Sequence, residues 1–101
     1  MTVEDLDANR HVRTVLVRNW VNTQRLDYSA THGTLYVRGR MMLLREPPPE
    51  PGQQRDSAGV TAKFLMHLEK EILKAPGIRA VRWQLDGWQR TTSAWIAHGI
   101  R

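Results

Sequence analysis

Residues 32–41, HGTLYVRGRM, carry the pattern from which the fold can be argued. Apolar or small residues occupy every second position after the first glycine: Leu35, Val37, Gly39 and Met41. Polar side chains fill the positions between them: Tyr36, Arg38 and Arg40. A period of two is typical of a strand with one buried face, so the stretch predicts a strand that turns a tyrosine and two arginines away from the core.

A second alternating run precedes this strand. Residues 26–31, LDYSAT, alternate apolar with polar positions, and His32-Gly33 separates the two runs. This arrangement predicts a β-hairpin in which Gly33 supplies the positive φ that the turn needs. Gly39 lies on the inward face of the second strand, where the missing side chain is expected to let a helix approach closely.

The segments on either side of the hairpin have different patterns. Apolar residues recur every four positions at Val12, Leu16 and Trp20, which predicts a first helix over about 3–23 with Trp20 as a core anchor. Residues 46–57, EPPPEPGQQRDS, predict an irregular surface loop inserted after the hairpin, because consecutive prolines are incompatible with a regular element.

A second helix and a third strand follow the insert. An apolar stripe predicts a helix over about 58–74, capped at its start by Asp56 or Ser57. Gly77, with the two residues before it, is expected to end the second helix. Alternating residues then predict a third strand over 80–85.

The C-terminal segment, residues 88–101, contains two tryptophans, Trp88 and Trp95. We expect one domain over residues 1–87 followed by this tail. The tail either folds back and covers the sheet, or exposes its tryptophans for a partner or a membrane. A third alternative is docking onto a neighbouring subunit, which would give a homo-oligomer.

Two stretches, HGTLYVRG at 32–39 and APGIRAVRWQL at 75–85, resemble the BON (bacterial OsmY and nodulation) domain. The family has glycine at three positions, which correspond to Gly33, Gly39 and Gly77 in this chain. Ile78 is the apolar residue that follows the last of them. The similarity covers roughly residues 10–86. The resemblance implies an α+β fold of α-β-β-α-β order, a small two-layer sandwich with two helices on one face of a three-stranded mixed sheet.

The same resemblance implies a non-catalytic module, because BON domains are mostly envelope proteins thought to bind phospholipid. The chain departs from the family in the insert at 46–57, in the tail and in its first residues, MTVEDLDANRH, which are not a signal peptide. We therefore expect a cytoplasmic protein, with peripheral association with the envelope left open.

Composition narrows the chemistry. The net charge of +5 favours anionic partners, or serves only as a solubilising surface. The chain has no cysteine, and none of its four histidines has a partner at metal-ligand spacing. It also lacks a nucleophile elbow and a glycine-rich phosphate loop. These features predict a protein that is not an enzyme and that holds neither a metal nor a cofactor.

The candidate binding residues come from strand parity and from the tail. They are Tyr36, Arg38, Arg40, Arg82, Trp88, Arg90 and Trp95. Guanidinium groups bind phosphate bidentately, so this set predicts contact with an anionic phospholipid surface or with a protein partner. The alternative is a small nucleic-acid-binding protein that uses stacking and phosphate contacts. A charged sheet face that is simply open to water is a further interpretation.

Overall fold

A computed structural model describes residues 3–45, 60–92 and 94–97. Within these ranges the regular elements are α1 Val3–Arg18, β1 Leu26–Thr31, β2 Thr34–Gly39, α2 Ala62–Leu73, β3 Ala80–Leu85, β4 Trp88–Arg90 and β5 Trp95–Ala97. A 3₁₀ turn, Thr23–Arg25, leads into β1. The predicted α+β class and the α-β-β-α-β order are confirmed. The predicted insert at 46–57 lies outside the described residues. The prediction that Asp56 or Ser57 caps the second helix is wrong, because α2 begins at Ala62 with Thr61 as its N-cap.

The main sheet has the strand order β1-β2-β3. β1 and β2 are antiparallel, whereas β2 and β3 are parallel, so the sheet is mixed as expected. His32 and Gly33 both have positive φ, 51° and 84°, which is the conformation of a two-residue hairpin turn. The backbone N–H of Arg79 donates to the Gly33 carbonyl at 2.7 Å and connects the hairpin turn to the entry of β3.

Both helices pack on one face of this sheet. Each helix contributes a stripe of buried side chains to a core that it shares with the inward positions of β2. The core residues from these elements are Val12, Val15 and Leu16 of α1, Leu65, Leu68 and Ile72 of α2, and Leu35 and Val37 of β2. α2 begins where the Thr61 hydroxyl accepts a hydrogen bond from the Phe64 N–H at 3.0 Å. The opposite face of the sheet carries neither helix.

The prediction that Trp20 anchors the core is wrong. α1 ends at Arg18, and Trp20 adopts a left-handed conformation with φ 63°. The Val21 N–H then bonds to the Leu16 carbonyl, and the Trp20 carbonyl accepts from the Leu44 N–H at 2.7 Å. This turn directs the indole outward, where 52% of Trp20 is exposed and the Arg45 guanidinium lies 5.7 Å from the ring centroid.

Trp20→Asn is therefore expected to change the free energy of unfolding by less than about 1 kcal/mol, because asparagine tolerates a left-handed backbone and the indole is not a core group. Leu16→Ala, on the buried face of the same helix, should cost about 2–5 kcal/mol. Urea denaturation of the two variants compares them directly. If Trp20→Asn lowered the free energy of unfolding as much as Leu16→Ala, Trp20 would have to be a core residue.

The C-terminal segment forms a second, two-stranded sheet. β4 and β5 are antiparallel, with Trp88 opposite Ala97 and Arg90 opposite Trp95. Only 5% of each tryptophan is exposed, and both join the same hydrophobic cluster as the helices. β4 and β5 thus fold back, as one of the alternatives held, but they pack beside α2 and not over the open face of the main sheet.

Candidate functional site

The open face of the main sheet presents two rows of cross-strand neighbours. One row is Ser29, Tyr36 and Arg82, and the other is Asp27, Arg38 and Gln84. Paired residues in a sheet point to the same side, and the residues between these positions on β2 are buried under the helices. The six side chains therefore share the face opposite the helices, as parity predicted for Tyr36, Arg38 and Arg82.

A shallow depression of about 470 Å³ lies in this face. All six side chains of the two rows border it, and the group is referred to below as the open-face site. Tyr36 lies on the central strand and is 53% exposed, so its ring is available to a ligand. The site thus combines an aromatic surface with two guanidinium groups, a combination that suits phosphate and planar or cationic groups.

One acidic residue modifies the charge of the open-face site. Oδ2 of Asp27 lies 3.9 Å from Nη2 of Arg38, and the two side chains are 85% and 72% exposed. An ion pair this long and this exposed is weakly held. Sequence reasoning missed Asp27 as a site residue, although a two-residue turn at 32–33 places residue 27 directly opposite residue 38.

Arg40 was expected beside Arg38 and Arg82, and the structure corrects this. Gly39 has φ 122°, which interrupts the alternation at the end of β2. Arg40 consequently lies outside the strand, with its backbone N–H bonded to the Arg25 carbonyl at 3.0 Å. It does not border the depression formed by the described residues.

Arg90 lies on the helix side of the sheet, bound to an acid from α2. Its Nε and Nη2 atoms are both 3.1 Å from Oε1 of Glu69. The other carboxylate oxygen of Glu69 accepts a hydrogen bond from Nε1 of Trp83 at 2.8 Å. Arg90, a candidate anion contact from the tail, is therefore paired with Glu69 on the side of the sheet opposite Arg38.

Trp88 and Trp95 are also separated from the open-face site. The Trp95 ring meets that of Trp83 edge to face, with centroids 5.0 Å apart and planes at 77°. Trp83 projects toward the helices, since it pairs in register with buried Val37. The two tail tryptophans are therefore packing residues, and the expectation that they form part of an exposed contact surface is wrong.

Glycine is required for a different reason at each of the three positions that the sequence singled out. Gly33 has the positive φ predicted for the hairpin turn. Gly77 has φ 87° with no atom within 4 Å of an added Cβ, so only its backbone conformation requires glycine. Gly39 does allow a close approach, but a Cβ there would lie 2.4 Å from the carbonyl oxygen of Arg25, not against a helix as predicted.

The described residues contain neither a metal-binding cluster nor a membrane-spanning helix. Among residues 3–45, 60–92 and 94–97, no group of histidine and acidic side chains is arranged to hold a metal ion. Within the same ranges, neither helix has the length and apolar character to cross a membrane. Comparison with protein-family models, with curated proteins and with solved structures found no match.

Proposed function

We propose that the protein is a non-catalytic binding module whose open-face site contacts phosphate groups of an anionic phospholipid surface. The observation that carries this proposal is the pairing of Tyr36 with Arg82, with Arg38 next to Tyr36, around a depression on a sheet face that carries no helix. The resemblance to BON domains supports the same class of function. A cytoplasmic protein that associates peripherally with the envelope is part of this proposal, and a protein partner or a homo-oligomer is its variant.

Electrostatics supports a phosphate ligand. Two guanidinium groups on adjacent strands can each offer paired N–H donors to a phosphate. The net charge of +5 attracts the whole molecule to an anionic surface before any specific contact forms. A tyrosine with an apolar ring and a polar hydroxyl is suited to the boundary between headgroups and water.

Nucleic acid is a second candidate because of one observation. Tyr36 is exposed on the central strand of an open sheet, opposite Arg82 of β3 and two residues from Arg38 on its own strand. Stacking of one base on such a ring contributes about 1–3 kcal/mol, and the guanidiniums would then hold the neighbouring phosphates.

The test is the double variant Arg38→Gln/Arg82→Gln in vesicle sedimentation with phosphatidylglycerol. Each arginine near an anionic surface contributes about 1 kcal/mol, so the pair should lower the affinity roughly thirtyfold. Arg10→Gln/Arg13→Gln is the matched control, because it removes the same charge from exposed positions of α1. An equal loss in both variants would mean that the charge acts without the open-face site.

The same three proteins, which are the parent, the open-face variant and the control, are then titrated with a single-stranded oligonucleotide. Binding of the oligonucleotide that depends on Arg38 and Arg82, without binding to vesicles, would replace the lipid proposal by the second candidate. Retention of vesicle binding by the open-face variant would place the lipid contact elsewhere on the molecule.

A further inference from the structure

The open-face site is dipolar, which a surface built only to attract anions does not require. Asp27 lies on β1 at one margin, Arg82 lies on β3 at the other, and Arg38 and Tyr36 lie between them on β2. Neighbouring strands are about 4.8 Å apart, so roughly 10 Å separates the acidic margin from the basic one. A carboxylate in this position repels a phosphate and weakens the attraction of Arg38 for it.

Resting on the proposed function, we propose that the open-face site recognises a lipid headgroup that carries a primary ammonium beside its phosphate. The phosphate would lie between the guanidiniums of Arg82 and Arg38. The ammonium would lie between the Asp27 carboxylate and the ring of Tyr36. The chemical class is therefore a zwitterionic aminophosphate headgroup, as in phosphatidylethanolamine, presented at a membrane surface.

Binding of the headgroup requires Asp27 and Arg38 to separate, and this separation costs little free energy. The pair is 3.9 Å long and largely exposed, so little stabilisation is lost when a ligand separates the two groups. A zwitterionic headgroup replaces that one weak pair by two, phosphate with Arg38 and ammonium with Asp27. The ammonium and phosphate of such a headgroup are two carbon atoms apart, which suits an acid and a guanidinium on adjacent strands.

Tyr36 supports the placement of the ammonium. It neighbours Arg38 along β2, two residues away on the same face, and Ser29 lies opposite it on β1. Cations are attracted to the electron-rich face of an aromatic ring, and an exposed ring on a sheet face is open to that approach. A primary ammonium also donates hydrogen bonds to a carboxylate, which a quaternary ammonium cannot do.

Vesicles with a constant fraction of phosphatidylglycerol provide the test, the remaining lipid being either phosphatidylcholine or a mixture rich in phosphatidylethanolamine. The parent protein should bind the ethanolamine vesicles roughly fivefold more tightly, the equivalent of one charge contact at the surface. Asp27→Asn should abolish this preference and raise affinity for vesicles of phosphatidylglycerol alone by a similar factor. Asp7→Asn, which makes the same charge change at an exposed position of α1, should retain the preference.

The outcomes separate the two proposals. Binding to phosphatidylglycerol with no preference for ethanolamine, or a preference that survives Asp27→Asn, overturns this inference and leaves the proposed function standing. Failure of the parent protein to bind any of the vesicles overturns both. A preference lost equally in Asp27→Asn and Asp7→Asn would show that total charge, not the open-face site, produces it, and would also overturn the inference.

Discussion

Gly39→Val is expected to lower the free energy of unfolding by at least about 3 kcal/mol. The glycine has φ 122°, a region that residues with a side chain adopt only at a cost of about 1–3 kcal/mol. An added Cβ would also lie 2.4 Å from the Arg25 carbonyl oxygen, well inside contact distance. Strain and overlap act together, and a domain of this size has only about 5–15 kcal/mol to lose.

The surroundings of Gly39 cannot move easily to accommodate a side chain. The Arg25 carbonyl that would meet the Cβ already accepts the Arg40 N–H at 3.0 Å. The carbonyl of Gly39 itself accepts the Asp86 N–H at 2.9 Å, immediately after β3. Gly39 thus connects the start of β1 to the end of β3, and a shift there disturbs both pairings of the central strand.

Thermal unfolding followed by circular dichroism measures the effect, which should lower Tm by about 4–8 °C for each kcal/mol. Gly77→Ala is the matched control, since it adds a Cβ at a positive φ where no atom lies within 4 Å. It should cost only the backbone strain, about 1–2 kcal/mol. If the two variants lose the same Tm, the overlap with Arg25 contributes nothing.

This glycine also shows how far the sequence can predict the fold. Alternation and the His32-Gly33 turn were sufficient to predict the hairpin, because both signals are local. The close approach at Gly39 was predicted, but its partner was not, since the Arg25 carbonyl comes from the turn that precedes β1. Trp20 was misassigned because its spacing from Leu16 continues the helical period beyond the residue where α1 ends.

For the open-face site too, the features predicted correctly are those with a local signal in the sequence. Parity within β2 and β3 was enough to place Tyr36, Arg38 and Arg82 on one face. β4 and β5 pack on the helix side of the sheet through contacts that include residues distant in sequence, among them the ion pair of Arg90 with Glu69 of α2. No periodicity in the tail contains that information, which is why the sequence left open whether its two tryptophans fold back or are exposed.

Trp95→Ala is expected to cost about 3–5 kcal/mol, the usual effect of removing a large aromatic ring from a core. The ring is buried, packs edge to face on Trp83, and has the Arg90 guanidinium 5.9 Å from its centroid. Its loss would leave a cavity beside α2 and weaken the docking of the β4–β5 hairpin. Ile96→Ala at the next position, where the residue is 48% exposed, should change stability by less than about 1 kcal/mol.

Trp95→Phe adds a finer test of what the indole contributes. Nε1 of Trp95 is buried and has no hydrogen-bond partner among the described residues, so replacing the ring by phenyl also removes an unsatisfied donor. Phenylalanine should therefore recover much of the stability lost in Trp95→Ala, as urea denaturation of the three variants would show. If Trp95→Ala instead kept its stability and lost vesicle binding, the hairpin would be the contact surface. The open-face site would then no longer be needed to explain binding.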